Sequence, residues 1–152
     1  MPNRHGWNTF ENYVQVHEDY LANQSSIVSH TLRFRPVAKR GRIVSVELSG
    51  QIFCGRQVVV DVTKLLEARY TERGVLQVRG LRYSYNAHAR GRFNLLRYDN
   101  GHDDPNEYHR HRFDPFTGEQ VEFQYVTRQQ FPTLSELLDE VEVLSAKLGL
   151  LT

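Results

Sequence analysis

A two-residue alternation of side chains runs through the middle of the chain and constrains the fold more than any other feature. Between Ile27 and Arg97, apolar residues recur at every second position in several short runs that glycines interrupt. Successive side chains of a β-strand point to opposite faces, so each run predicts a strand with one buried face. The glycine-containing segment 86–91, which separates two such runs, is typical of an antiparallel hairpin. The pattern therefore predicts an antiparallel meander.

The segments on either side of this region have helical spacing instead. The apolar residues of Thr9–Asn23 recur mainly at intervals of three and four, which favours a helix. Near the C-terminus, Thr133 and Glu136 form a capping-box pattern, leucines follow at helical spacing, and Gly149 ends the run. The sequence thus predicts an α+β fold: an antiparallel sheet of about five to seven strands, with an N-terminal helix and a C-terminal amphipathic helix packed on one face.

Length and composition place the chain among ordinary globular proteins. It has 152 residues, of which 39% are hydrophobic, and this predicts a single domain over residues 1–152. The lone cysteine, Cys54, excludes an internal disulfide framework. No apolar run approaches the ~20 residues of a membrane span, and the N-terminus lacks the apolar stretch of a secretory signal. We therefore expect a cytoplasmic protein that does not contact membranes.

Charge is distributed unevenly along the chain, although the net charge is only +1. The segment from His30 to Arg97 contains fourteen Lys and Arg against four Asp and Glu, and the remainder contains five against fourteen. Sixteen of the nineteen basic residues are arginines, whose guanidinium group binds phosphate through two hydrogen bonds and stacks on bases. This distribution fits contact with a nucleic acid, and it also fits a solvated basic surface.

Histidines concentrate after the predicted hairpin. Four of the seven lie between His88 and His111, and the segment 97–114 lacks strand or helix periodicity, which predicts a loop. If His109-Arg110-His111 is extended, both imidazoles project to one face and the arginines to the other. Two imidazoles on one face can act as an acid–base pair, because histidine titrates near neutral pH.

Three interpretations of this segment remain open. One is a metal-free site for phosphodiester cleavage, in which one histidine is the base, another is the acid and an arginine stabilises the developing charge. The second is a metal site formed by His102, His109, His111 and a carboxylate. The third is a polar loop whose histidines cap turns and pair with carboxylates. The first requires neither metal nor cofactor, and its candidate catalytic residues are His109, His111, Arg97, Arg112 and His102.

The hairpin that precedes the histidines supplies candidate binding residues. Aromatic side chains beside arginines can stack on unpaired bases. The residues concerned are Tyr83, Tyr85, Arg82, Arg90 and Arg92. For the two tyrosines, the alternative is cross-strand packing in a half-buried sheet. Asp99 and Asn100 are assigned a structural role, because such side chains bond to backbone N–H groups in turns.

Four motifs of the chain are similar to those of one known family. They are Leu81-Arg82-Tyr83-Ser84-Tyr85-Asn86, Leu96-Arg97-Tyr98-Asp99-Asn100-Gly101-His102, Tyr108-His109-Arg110-His111 and Phe131-Pro132-Thr133-Leu134-Ser135-Glu136-Leu137-Leu138. In this order they resemble the TumE-type toxin family of prokaryotic toxin–antitoxin pairs, with its tyrosine-rich strand, Arg–aromatic–Asp–Asn step and closing His-x-His. The stretch 81–111 is the specific part of the resemblance. Tyr108 stands there in place of the proline that usually precedes the closing histidines.

The resemblance implies a toxin that is encoded beside a helix-turn-helix antitoxin. Because many toxins of such pairs cleave RNA, analogy points to RNA as the target. The basic middle of the chain fits either RNA or an acidic segment of the antitoxin. The alternative function is a non-catalytic module that binds nucleic acid or protein, and a homo-oligomeric state is left open.

Overall fold

The computed structural model of the protein describes residues 5–100 and 106–150. Within these residues, nine strands form one antiparallel sheet, and two helices accompany it. In chain order the elements are β1 (Asn8–Thr9), α1 (Phe10–Asn23), β2 (Ile27–His30), β3 (Arg33–Lys39), β4 (Arg42–Cys54), β5 (Val58–Tyr70), β6 (Leu76–Ala89), β7 (Asn94–Asn100), β8 (Tyr108–Phe113), β9 (Gln120–Val126) and α2 (Leu134–Lys147).

The strands follow the order β2–β4–β5–β6–β7–β8–β9 across the sheet, while β3 also pairs with β4 and β1 with β6. Strands β2 and β3 pair with opposite ends of β4, so the chain that joins them passes β4 at Gly50. A Cβ atom at Gly50 would lie 2.6 Å from the carbonyl oxygen of Thr31, and φ is +146°. Glycine is therefore required for this crossing.

Helices α1 and α2 cover one face of the sheet, and we call the opposite face the open face. On the covered face, Leu137 and Leu138 of α2 join the core formed by inward side chains of the central strands. Phe131, which is completely buried just before α2, contacts four tyrosine rings, those of Tyr83, Tyr85, Tyr98 and Tyr108. Burial of each large side chain contributes about 1.5–3 kcal/mol, so this face supplies most of the hydrophobic stabilisation.

The predicted α+β fold with helices at both ends is confirmed. Thr9 caps α1, and Thr133 begins α2 with both hydrogen bonds of a capping box to Glu136. Gly149 has φ +70° directly after the last turn of α2, as its position predicted. Among the described residues, no helix is both long enough and apolar enough to cross a membrane.

The strand count exceeds the predicted five to seven. One reason is β1, which has only two residues, and another is the break that separates β2 from β3. The expectation of a loop over 97–114 is wrong for 97–100, which belong to β7, and for Tyr108–Phe113, which is strand β8. Residues 101–105 of this segment lie outside the described residues. The sequence of β8 repeats His and Arg and lacks the alternating apolar residues by which a strand is usually predicted. The reason is that the side chains on both faces of this strand have polar partners.

Candidate active site

Strands β7 and β8 bring four polar side chains together on the open face. We call this group the histidine cluster, and its members are Arg97, Asp99, His109 and His111, at directly paired positions of the two strands. The intervening residues Tyr98 and Arg110 point to the covered face, where both bond to Glu140 of α2. Because side chains alternate along a strand, the cluster lies on the open face.

Asp99 is the centre of the histidine cluster. Its Oδ1 lies 3.1 Å from Nδ1 of His109 and 3.6 Å from Nε2 of His111. Its Oδ2 lies 2.7 Å from Nε of Arg97. The side chains of the two histidines are only 14% and 18% exposed, and that of Asp99 is 11% exposed. Charges with so little exposure are screened much less than ordinary surface charges, so the carboxylate strongly orients its neighbours.

The hydrogen-bond partners determine which ring nitrogens carry protons. A carboxylate oxygen only accepts, so Nδ1 of His109 donates to Asp99. Nε2, which lies 3.9 Å from a carboxylate oxygen of Glu107, has a lone pair when the ring is neutral. Oε1 of Gln120 lies 2.8 Å from Nδ1 of His111, which makes that nitrogen a donor as well. Nε2 of His111 then faces Asp99, and a proton on this nitrogen makes the contact favourable. The arrangement suits His109 to act as a base and His111 as an acid.

The same atoms form a donor set for a metal ion. One ligand atom each from Asp99, His109 and His111 lies within 4.8 Å of the other two. Two imidazoles and a carboxylate suit first-row divalent metals. Arg97, which pairs with the second carboxylate oxygen, would orient Asp99 from outside such a set.

Aromatic rings from β9 border the histidine cluster. Phe123 pairs with His111 and Tyr125 with His109, and their ring centres lie 4.9 and 5.1 Å from the respective imidazoles. Phe123 is 43% exposed and Tyr125 is 71% exposed. Apolar and polar residues alternate along β9, which is typical of a strand with one buried face. In this fold, however, the apolar residues of β9 lie on the open face of the sheet. Exposed aromatic patches of this kind mark interaction surfaces.

The predicted catalytic residues divide into three groups. The structure brings Arg97, His109 and His111 together, as the sequence predicted. It does not bring Arg112 to them, because Arg112 points to the other side of β8 and pairs with Glu122 at 3.1 Å. His102 lies outside the residues that the structure describes.

The prediction that Tyr83 and Tyr85 form an exposed stacking surface is wrong. They are 5% and 0% exposed, and both rings pack against Phe131 on the covered face. The physical reason is the alternation of β6 after its register shift near Gly80, which places the odd-numbered residues 83–89 towards the helices and the even-numbered ones on the open face. The alternative of packing within the sheet applies instead.

The three predicted binding arginines occupy different places. Arg82 lies on β6 at an even-numbered position and is partly exposed on the open face. Arg90 and Arg92 are exposed in the turn between β6 and β7, and the guanidinium of Arg90 lies 5.3 Å from the centre of the Phe53 ring. Arg90 and Arg92 therefore place positive charge at the turn, whereas Arg82 lies two positions from Ser84, which pairs with Asp99 of the histidine cluster.

Asn100 and Asp99, which were both assigned structural roles, differ in the structure. The side chain of Asn100 accepts from the backbone N–H of Tyr83 at 2.8 Å and donates to the carbonyl of Leu81 at 2.7 Å. It thus connects β7 to β6, across the sheet rather than within a turn. Asp99 contacts side chains of the histidine cluster and belongs to the site itself.

Sequence reasoning missed Gln120, Phe123 and Tyr125, because these residues reach the cluster only through the pairing of β8 with β9. The alternation of β9 was visible, but the face to which it points depends on the register of the whole sheet. Comparison with protein-family models, curated proteins and solved structures finds no match to this chain.

Proposed function

We propose that the chain is the toxin of a prokaryotic toxin–antitoxin pair and acts as a metal-independent endoribonuclease. The observation that most supports this is the pair of imidazoles on the open face, whose ring centres are 6.2 Å apart and which both approach Asp99. A phosphodiester group over such a pair has a base on one side and an acid on the other. The similarity of the stretch 81–111 to TumE-type toxins supports the role as a toxin.

In the proposed reaction, Nε2 of His109 removes the proton of a ribose 2′-hydroxyl, and the oxygen attacks the adjacent phosphorus. The bond from phosphorus to the 5′-oxygen of the next nucleotide breaks, and the imidazolium of His111 protonates that oxygen. The products are a 2′,3′-cyclic phosphate and a 5′-hydroxyl end. Arg97, which lies beside Asp99, offsets the negative charge that develops on the phosphoryl oxygens.

The surroundings of the cluster favour single-stranded RNA as the substrate. Phe123 and Tyr125 expose ring surface directly beside the imidazoles, and stacking of a base on an aromatic ring contributes about 1–3 kcal/mol. Bases in a duplex are stacked on one another and cannot reach such rings. A base stacked on these rings would lie next to the phosphate that is cleaved, because the rings border the imidazoles.

A second candidate function is metal-dependent cleavage at the same place. The observation that favours it is the donor set of Asp99, His109 and His111, whose ligand atoms lie within 4.8 Å of one another. A divalent ion held there would polarise a phosphoryl oxygen or activate a water molecule. A third candidate is a non-catalytic module, for which the exposed aromatic patch of β9 would be the binding surface.

Cleavage of single-stranded RNA in the presence of a chelator tests the proposal. Wild-type protein should produce cyclic-phosphate ends under these conditions, while His109→Ala and His111→Ala should each cleave about a hundred- to ten-thousandfold more slowly. His88→Ala is the matched control, because His88 also lies on the open face but pairs with Asp61 at 3.1 Å, away from the cluster. Circular dichroism would show that each variant remains folded.

The other outcomes of this assay discriminate the candidates. Activity that disappears with the chelator and returns with a divalent metal favours the second candidate. Wild-type protein that is inert with and without metal contradicts both enzymatic candidates and favours the binding module.

Expression in bacterial cells tests the role as a toxin. The wild-type chain should arrest growth in the cytoplasm, and His109→Ala should not. Co-expression of a helix-turn-helix protein encoded beside the gene should relieve the arrest and co-purify with the chain. Growth that is unaffected by the wild-type chain contradicts this role.

A further inference from the structure

A cavity of about 370 Å³ lies on the covered face of the sheet, separated from the histidine cluster by the sheet itself. It is enclosed by α1, the segment before it, β5, β6 and the beginning of α2. Aromatic residues provide much of its wall, including Trp7, Tyr13, Tyr20, Tyr83 and Tyr85. Its size and its largely aromatic lining are those of sites that bind small organic molecules.

Lys64 is the only lysine of the cavity and is unusual in its surroundings. Only 5% of the residue is exposed, and its Nζ donates to Oη of Tyr13 at 2.9 Å and to Nε2 of His17 at 3.2 Å. Neither of these acceptors is an anion: Nδ1 of His17 donates to the carbonyl of Tyr13 at 2.9 Å, so the ring is held neutral. Burial lowers the pKa of His17 to about 3, which agrees with this assignment.

No carboxylate among the described residues pairs with Lys64. Its amino group instead lies 5.4–5.8 Å from the ring centres of Tyr13, Tyr83 and Tyr85. An ammonium group has three N–H donors, of which the two described acceptors use two. A buried cation without a counter-charge costs several kcal/mol in desolvation, so an anion that enters the cavity would gain from pairing with it.

Tyr85 provides a second donor without an acceptor. The residue is completely buried, it lines the cavity, and its hydroxyl has no hydrogen-bond partner in the described part of the chain. A buried hydroxyl without a partner is destabilising, so a native structure normally provides one. The partner that suits both this hydroxyl and the third N–H of Lys64 is an acceptor with negative charge.

We propose that this cavity binds a small aromatic carboxylate, whose charged group contacts Lys64 and Tyr85 and whose ring packs against the aromatic wall. The carboxylate supplies the two acceptors that the cavity lacks, and its flat apolar body matches the tyrosine rings of the wall. The site is independent of the proposed RNA cleavage, because it lies on the other face of the sheet and shares no residue with the histidine cluster.

Titration of the full chain with benzoate, followed by the fluorescence of Trp7, tests this proposal. Trp7 is the only tryptophan of the chain and lines the cavity, so it reports occupancy directly. Benzamide, which has nearly the same shape but no charge, is the ligand control, and inorganic phosphate tests whether an anion without an aromatic body is enough. We expect saturable binding of benzoate and at least tenfold weaker binding of both controls.

Two variants test whether Lys64 and Tyr85 contact the bound benzoate. Lys64→Met should weaken benzoate binding about tenfold or more, the effect expected for loss of a hydrogen bond to a charged group. Tyr85→Phe, which removes only the hydroxyl and keeps the ring, should weaken it several-fold. Lys147→Met, at the last turn of α2, should bind benzoate like wild type.

Three results would overturn the proposal. They are an absence of saturable benzoate binding by folded wild-type protein, equal binding of benzoate and benzamide, and unchanged binding in both Lys64→Met and Tyr85→Phe. Circular dichroism of each variant separates loss of binding from loss of fold, and Tyr85→Phe tests the site even if Lys64→Met fails to fold. RNA cleavage should be the same in all four proteins without benzoate.

Discussion

Asp99 shows how one side chain can organise a site. It contacts both imidazoles and Arg97, so removal of its charge should disturb all three while the strand itself persists. We expect Asp99→Asn to lower RNA cleavage about a hundredfold or more, because an amide no longer selects the tautomer that leaves Nε2 of His109 free. Asp61→Asn, which alters the pair with His88 on the same face, is the control and should retain activity. Similar losses in both variants would contradict a specific role for Asp99.

Lys64 also gives a prediction at the scale of a single residue, which concerns the pH dependence of the free energy of unfolding. Burial lowers the pKa of Lys64 from its ordinary value of 10.5 to about 7. Between these values the unfolded chain binds a proton that the folded chain does not, so this group makes the free energy of unfolding rise with pH. Below pH 7 the full cost of burying the charged amine applies. The other titratable groups that face this amine are Tyr13, His17, Tyr83 and Tyr85, and they are present in wild type and variant alike.

The free energy of unfolding of Lys64→Met relative to that of wild type should therefore be highest near pH 7 and fall progressively towards pH 9.5. Urea unfolding of both proteins across this range measures the difference. Lys147→Met, at the last turn of α2, is measured in parallel as the control for removal of an exposed lysine. A difference between Lys64→Met and wild type that stays constant with pH would show that folding does not lower the pKa of this amine.

At the scale of elements, α2 was predicted from the sequence because its signals are local. Thr133, Glu136 and Gly149 define its ends within the segment itself. Strand β8 was missed because its stability comes from distant partners: Arg110 bonds to Tyr98, Glu122 and Glu140. These partners are 12 or more positions away along the chain, and no local pattern contains them. For the same reason His109 and His111 could be grouped from their spacing, but Phe123 and Tyr125, which reach them through the pairing of β8 with β9, could not.

The capping box of α2 can be tested directly. Oγ1 of Thr133 accepts from the N–H of Glu136 at 3.3 Å, and a carboxylate oxygen of Glu136 accepts from the N–H of Thr133 at 3.0 Å. Thr133→Ala should lower the free energy of unfolding by about 1 kcal/mol, since it leaves an amide at the helix start without its partner. Thr133→Ser keeps the hydroxyl and should cost much less. Equal losses in urea unfolding would mean that the methyl group, not the cap, is what stabilises the helix.

At the scale of the whole molecule, the sheet separates two different surfaces. Its covered face holds the core and the Lys64 cavity, while its open face holds the histidine cluster and the aromatic rings of β9. Much of the excess positive charge lies elsewhere, on the hairpin of β3 and β4, where five basic residues are exposed: Arg33, Arg35, Lys39, Arg40 and Arg42. The uneven charge along the sequence thus becomes a local patch in the fold, at a distance from the proposed site of cleavage.

This separation predicts two kinds of RNA contact that salt can distinguish. Contacts with phosphates release counterions, so affinity for single-stranded RNA should fall with salt, with a logarithmic slope of about −0.7 for each phosphate that is neutralised. Arg33→Gln combined with Lys39→Gln should weaken binding at low salt and make that slope shallower by up to about 1.4. Phe123→Ala should instead weaken binding by about 1–3 kcal/mol at every salt concentration and leave the slope unchanged, because stacking releases no counterions. Fluorescence anisotropy of a labelled oligonucleotide measures both quantities. Binding by wild-type protein that does not change between low and moderate salt would contradict contact with phosphates and favour a protein as the partner of the basic hairpin.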